Sequence, residues 1–108
     1  LHFDYPALVA DLEQNTAMID ELLRISKTVL FDELIPLLMA STDIEKINEL
    51  AHNIKGSASN IKMYELANIA AALEQTKTLK NVSDLKIELH KESEIVKTIL
   101  QQSINHFN

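Results

Sequence analysis

A chain of 108 residues, 46% of them hydrophobic, can bury a core of its own and predicts a single domain over residues 1–108. One glycine and two prolines leave too few turn residues for a sheet-rich fold, and the lack of cysteine excludes disulfides and thiolate metal sites. A net charge of −6 argues against nucleic acid or an anionic membrane as partner, and no apolar run approaches the ~20 residues of a membrane span.

Five helices are expected. The first spans about Asp4 to Gln14, with Asp4 as cap and Pro6 in the first turn, where its missing N–H does no harm. The second spans about Thr16 to Met39 behind an Asn15 cap. Its apolar face is Ile19, Leu22, Leu23, Leu30, Leu34, Leu37 and Leu38. Pro36 should bend it without ending it, since "LIPLLM" stays apolar beyond the proline.

The third helix opens at "STDIE", where Thr42 and Glu45 have capping-box spacing. Ile44, Ile47, Ala51, Ile54, Ala58 and Ile61 then recur at alternating steps of three and four, the strongest helical period in the chain. The fourth helix spans about Tyr64 to Leu79, with Leu66, Ile69, Ala70 and Leu73 inward. The fifth spans about Ser83 to His106, with Leu85, Leu89, Val96, Ile99, Leu100 and Ile104 on one side. Short links between long amphipathic helices predict an all-α fold: an antiparallel four-helix bundle with a short additional N-terminal helix.

The outer face of the third helix is unusual. At about 100° per residue, His52 lies roughly 160° from Ile54, and Asn48, Lys55, Gly56 and Ser59 all fall within roughly 60° of His52. This face is polar, and it holds the only glycine in the chain. A glycine inside a helix costs about 1 kcal/mol relative to alanine and needs a packing or functional reason. If the next turn centres on Met63, His52 and Glu74 stand equally far from it and meet across the hairpin. A carboxylate on one ring nitrogen fixes the tautomer and leaves the other nitrogen as a nucleophile.

"AHNIKGSASNI" resembles the signature of the histidine-containing phosphotransfer (HPt) domain family, a histidine followed by x-hydrophobic-Lys-Gly-Ser/Ala. The likeness continues through Leu66, Ala70, Leu73 and Glu74, and it is densest from about Phe31 to Glu74. It implies a helical bundle that carries a phosphoryl group on His52. The group would come from a receiver-domain aspartate or a sensor histidine kinase and pass to another receiver aspartate. It further implies Lys55 beside the phosphoryl oxygens, Gly56 as the clearance around the histidine, and Glu74 against the ring. Asn48 and Ser59 would belong to the docking face. The family commonly has glycine ten residues after the histidine, where this chain has Lys62; the third helix is therefore expected to end differently, about one residue later.

The same residues narrow the chemistry. One glycine cannot form a glycine-rich phosphate loop, so the domain is expected to use no ATP on its own; the resemblance implies a carrier rather than an enzyme, with no cofactor. No metal site is expected, because His2, His52, His90 and His106 form no i, i+4 pair. The domain is expected to be a cytoplasmic monomer without membrane contact, and its start at leucine fits a piece of a larger hybrid sensor kinase. The competing expectation is a non-catalytic helical module that docks partners through the His52 face.

Overall fold

The computed structural model describes residues 2–106. Helices α1 (Tyr5–Asp11), α2 (Thr16–Lys27), α3 (Ile35–Ala40), α4 (Ile44–Asn60), α5 (Tyr64–Gln75) and α6 (Leu79–His106) follow in order, and a π-helical segment, Thr28–Leu34, joins α2 to α3 in one rod. That rod, α4, α5 and α6 form an antiparallel four-helix bundle, and α1 is the short additional helix. Around the bundle, the α3 end of the rod packs on α4, α4 on α5, α5 on α6, and α6 on α2. At about 1.5 Å per residue a helix of 28 residues reaches about 42 Å, so α6 spans the full long dimension of the 42 × 20 × 19 Å molecule.

The α4 stripe packs as its period predicts. Ile47, Ala51, Ile54, Ala58 and Ile61 are fully buried, facing Leu66, Ala70 and Leu73 of α5 and a core that includes Leu23, Leu30, Leu89 and Val96.

In the second helix the expected stripe slips. Ile19, Leu23, Ser26 and Leu30 are buried at steps of four, three and four. Then Phe31, directly after Leu30, is also buried, followed by Ile35 and Leu38. Leu37, expected in the core, is 56% exposed. The cause is the π segment, in which Ile35 N–H donates to Leu30 O, five residues back. One extra residue in the turn shifts the inward face by one position. Pro36 explains its place: it has no N–H to donate and its ring crowds the carbonyl four residues back, so the turn before it opens.

Several ends also differ from expectation. Helix α1 stops at Asp11 because Glu13 (φ 52°) and Gln14 (φ 61°) turn left-handed, and Asn15 then caps α2 through Met18 N–H. Asp43, not Thr42, caps α4: its carboxylate accepts from Glu45 N–H at 3.0 Å, an anion at the positive end of the helix. Helix α5 ends at Gln75 rather than Leu79, with Thr76 extended. Helix α6 begins at Leu79 rather than Ser83, because the Thr78 hydroxyl accepts from Asn81 N–H and caps the new helix. Lys86 of α6 donates to Met39 O and Ser41 O, the free carbonyls at the end of α3, and so fixes the register between those helices.

The α4–α5 turn closes where a glycine would close it. Helix α4 ends at Asn60, and Lys62 takes the left-handed conformation at φ 64°. Met63 N–H donates to Ala58 O at 2.9 Å and Lys62 N–H to Ser59 O at 3.1 Å, the two bonds of a Schellman motif. The expected later ending does not occur. The left-handed lysine is held from the N-terminal segment: Asp4 N–H donates to Lys62 O, and the Lys62 ammonium pairs with Asp11 at 2.6 Å. Its hydrogen bond to Asp11 raises the Lys62 pKa, so the stability that comes from this lysine shift is present below the ordinary lysine value and is lost as pH rises through the higher one. Glycine adopts φ > 0 without strain. In an Asp11→Asn background, where this pair is absent, Lys62→Gly is therefore expected to raise the urea midpoint; a lower midpoint would show that the lysine stem stabilises the turn in another way.

Candidate functional site

His52 sits halfway along α4 on the face opposite its buried stripe, with its side chain 65% exposed. Glu74, next to the last residue of α5, reaches it across the hairpin. Glu74 follows the buried Leu73, so its side chain lies at the edge of the core stripe, and it is only 19% exposed. His52 Nδ1 lies 2.7 Å from Glu74 Oε1. A carboxylate only accepts, so Nδ1 carries the proton and donates. The Nε2 lone pair is then left unprotonated on the exposed ring.

Lys55, one turn further along α4, places its ammonium 2.5 Å from Glu74 Oε2, an oxygen shielded from solvent. One carboxylate thus holds both an imidazole and an ammonium on the same helix face. The Lys55 contact first, and the His52 hydrogen bond second, hold the Glu74 pKa below the ordinary carboxylate range. A depressed carboxylate stabilises the fold above its unfolded pKa, and that contribution is lost as pH falls through the folded value. The Glu74 carboxylate therefore stays ionised throughout mildly acidic and neutral solution. Lys55→Met is expected to move the Glu74 midpoint upward in a carbon-detected NMR titration; an unmoved midpoint would mean that the ammonium does not set it.

Gly56 is exposed, has an ordinary helical φ, and a Cβ built on it would meet nothing within 4 Å. Among the described residues no close contact requires a glycine there. Ser59 is exposed one turn further on, and Asn48 is half-buried one turn before His52. The Asn48 amide is engaged within the fold, donating to Leu73 O at 2.7 Å and to Thr76 O at 3.1 Å. Asn48 shares this face, as the helical wheel predicts, but its amide bonds depend on where α5 ends and so leave no mark in the sequence.

The other histidines lie elsewhere. His2 Nδ1 contacts both oxygens of the buried Glu92, at 2.9 and 2.7 Å, and His90 is exposed on α6. The side chain of His106 lies outside the described residues. Among the described residues no three His, Asp or Glu side chains group as metal ligands do, and no helix is long and apolar enough to cross a membrane.

An exposed imidazole with one nitrogen fixed by a carboxylate, a lysine one turn away and a cleared helix face is suited to carrying a small anionic group. The family model of the Hpt domain matches residues 5–105. The chain belongs to the Hpt domain family. At the level of that family its role is phosphotransfer in two-component signalling, with receiver domains and histidine kinases as the general class of partner. No curated protein and no solved structure matches the chain. In this Hpt domain the match runs from the first residue of α1 almost to the end of α6, so the whole bundle, and not the His52 motif alone, carries the likeness.

Proposed function

We propose that His52 accepts a phosphoryl group from the phosphoaspartate of a receiver domain, or from a histidine kinase, and passes it to the aspartate of another receiver. The observation that carries this reading is the His52–Glu74 pair, which protonates Nδ1 and turns a free Nε2 to solvent.

In the first step the Nε2 lone pair attacks phosphorus, the N–P bond forms, and the P–O bond to the receiver carboxylate breaks. The aspartate leaves with that electron pair as a free carboxylate. Nδ1 keeps its proton, so the ring gains positive charge as the bond forms. Glu74, 2.7 Å away and ionised, opposes that charge. Lys55 is near enough to turn from Glu74 toward the phosphoryl oxygens as a mobile point charge. Onward transfer is the reverse step on a second receiver. The ring that gained charge is a good leaving group, which suits a carrier that must release what it takes up.

Acceptor geometry is all this domain brings. The acidic pocket and any metal belong to the receiver, and ATP belongs to the kinase. The domain is then a cytoplasmic carrier over residues 1–108, docking through Ser59, Gly56 and the edges of the His52 face, either free-standing or within a hybrid sensor kinase.

Incubation with a panel of receiver domains labelled on aspartate is expected to transfer an acid-labile, base-stable label that maps to His52 by mass. No acid-labile label from any donor, with binding to receivers intact, would leave the non-catalytic docking module as the better reading.

A further inference from the structure

We propose that Asn48 is a positioning residue of the His52 site: it holds the end of α5 so that Glu74 stays on the imidazole. The proposal rests on the reading of His52 as phosphoryl acceptor and adds to it the part that keeps the acceptor in its productive tautomer.

Glu74 occupies a weak place in the fold. It is the penultimate residue of α5, and the last four carbonyls of a helix have no partner within it. Ends of this kind fray, and a frayed end would carry the carboxylate away from the ring. Two carbonyls bracket Glu74, those of Leu73 and Thr76, and both accept from the same Asn48 Nδ2, at 2.7 and 3.1 Å. The Thr76 hydroxyl adds a third tie by donating to Ala72 O at 2.8 Å.

The donor comes from α4, one turn before His52. The helix that presents the imidazole therefore also grips the backbone on both sides of its carboxylate. A local clamp thus adds to the packing of the buried Leu73 in holding Glu74 at its distance from His52. Both partners are carbonyl acceptors, so only the NH₂ of the side chain can serve, and an isosteric aspartate would set oxygen against oxygen. Asn48 is half-buried with this amide engaged, which fits a clamp better than a contact offered to a partner.

The test compares Asn48→Ala, Glu74→Ala and the double variant. Asn48→Ala is expected to slow phosphoryl uptake about tenfold, the scale seen when a group that orients a functional ligand is removed. The KM for the phosphorylated receiver should stay unchanged. In ¹⁵N spectra of the imidazoles, the Nδ1–H signature of His52 should weaken. Because Asn48 acts through Glu74, it should add nothing to Glu74→Ala. Asn48→Asp should behave like Asn48→Ala, and Asn48→Ser, with one donor, should fall between if the alanine variant folds poorly. Equal slowing by Asn48→Ala with and without Glu74 would overturn the proposal, as would a His52 spectrum that Asn48→Ala leaves unchanged. The spectrum needs no phosphoryl donor, so the clamp can be tested even if no label reaches His52.

Discussion

His52→Gln is expected to take up no acid-labile label from any receiver that phosphorylates the parent domain, while unfolding at the same temperature. The side chain is 65% exposed, and substitutions at such surface positions change stability by about 0.5 kcal/mol or less. Glutamine also carries an NH₂ that can donate to Glu74, so the charge arrangement between α4 and α5 survives. The nucleophile does not, because the amide nitrogen has no free lone pair. His2 supplies an internal control: its Nδ1 also lies on a carboxylate, that of Glu92, on an imidazole half exposed to solvent. What His52 has in addition is a lysine on the shared carboxylate and a cleared helix face. Label that persists in His52→Gln, on His2 or elsewhere, would sink the assignment. Label on His2 would also show that a carboxylate-paired imidazole suffices for uptake.

The bundle was legible where one period ran unbroken. In α4 the steps of three and four from Ile47 to Ile61 mark the buried stripe, and they thereby put His52 outside. The rod from α2 to α3 was harder to read, because its period changes phase within the element. Leu34 and Leu37 continue the spacing that starts at Ile19, but the π turn before Pro36 turns Phe31 and Ile35 inward beside the expected Leu38 and leaves Leu37 outside. A proline in an apolar run announces a disturbance; whether the helix answers with a bend or with an extra residue depends on packing that one sequence does not display. The α5–α6 break was misplaced for a local reason. Ser83 and Thr78 are both acceptable caps, and the choice fell to Thr78 once Thr76 became extended.

The His52–Glu74 pair emerged from hairpin symmetry, which required the turn to lie near Met63. Lys62 put that turn in doubt. The turn holds because the penalty of a left-handed lysine is offset by bonds from α1 and the residues before it, contacts remote in sequence. Asn48 shows the opposite limit. Its place on the His52 face was readable from the helical wheel. Its amide bonds were not, since they require the end of α5 to fall at Gln75. Residue type and period placed the acceptor, and the groups that steady it depended on where helices stop.

Gly56→Leu is expected to fold at least as stably as the parent and to slow uptake from receivers tenfold or more. The two halves have separate causes. Gly56 lies in the interior of α4, and a Cβ there meets no atom within 4 Å. Replacement removes backbone entropy from the unfolded chain without creating a clash, so Gly56→Ala should add about 1 kcal/mol. For a domain of this size that corresponds to a melting temperature about 4–8 °C higher. Leucine has nearly the helix propensity of alanine and should retain most of the gain. The loss of transfer comes from outside the chain. Gly56 is one turn from His52 on the same face, and a receiver must bring the phosphorus of its phosphoaspartate within near-attack distance of Nε2, about 3–3.5 Å. A leucine side chain stands in that path, whereas alanine should obstruct far less. Phosphoramidate, a donor small enough to pass beside the leucine, is therefore expected to label Gly56→Leu at the parent rate. Slowing by both donors would mean that the substitution disturbs the imidazole itself, and parent rates with both would mean that the glycine clears no path. Slowing by receivers alone, in a protein made more stable, is the outcome that gives the helix its reason for keeping a glycine the fold does not need.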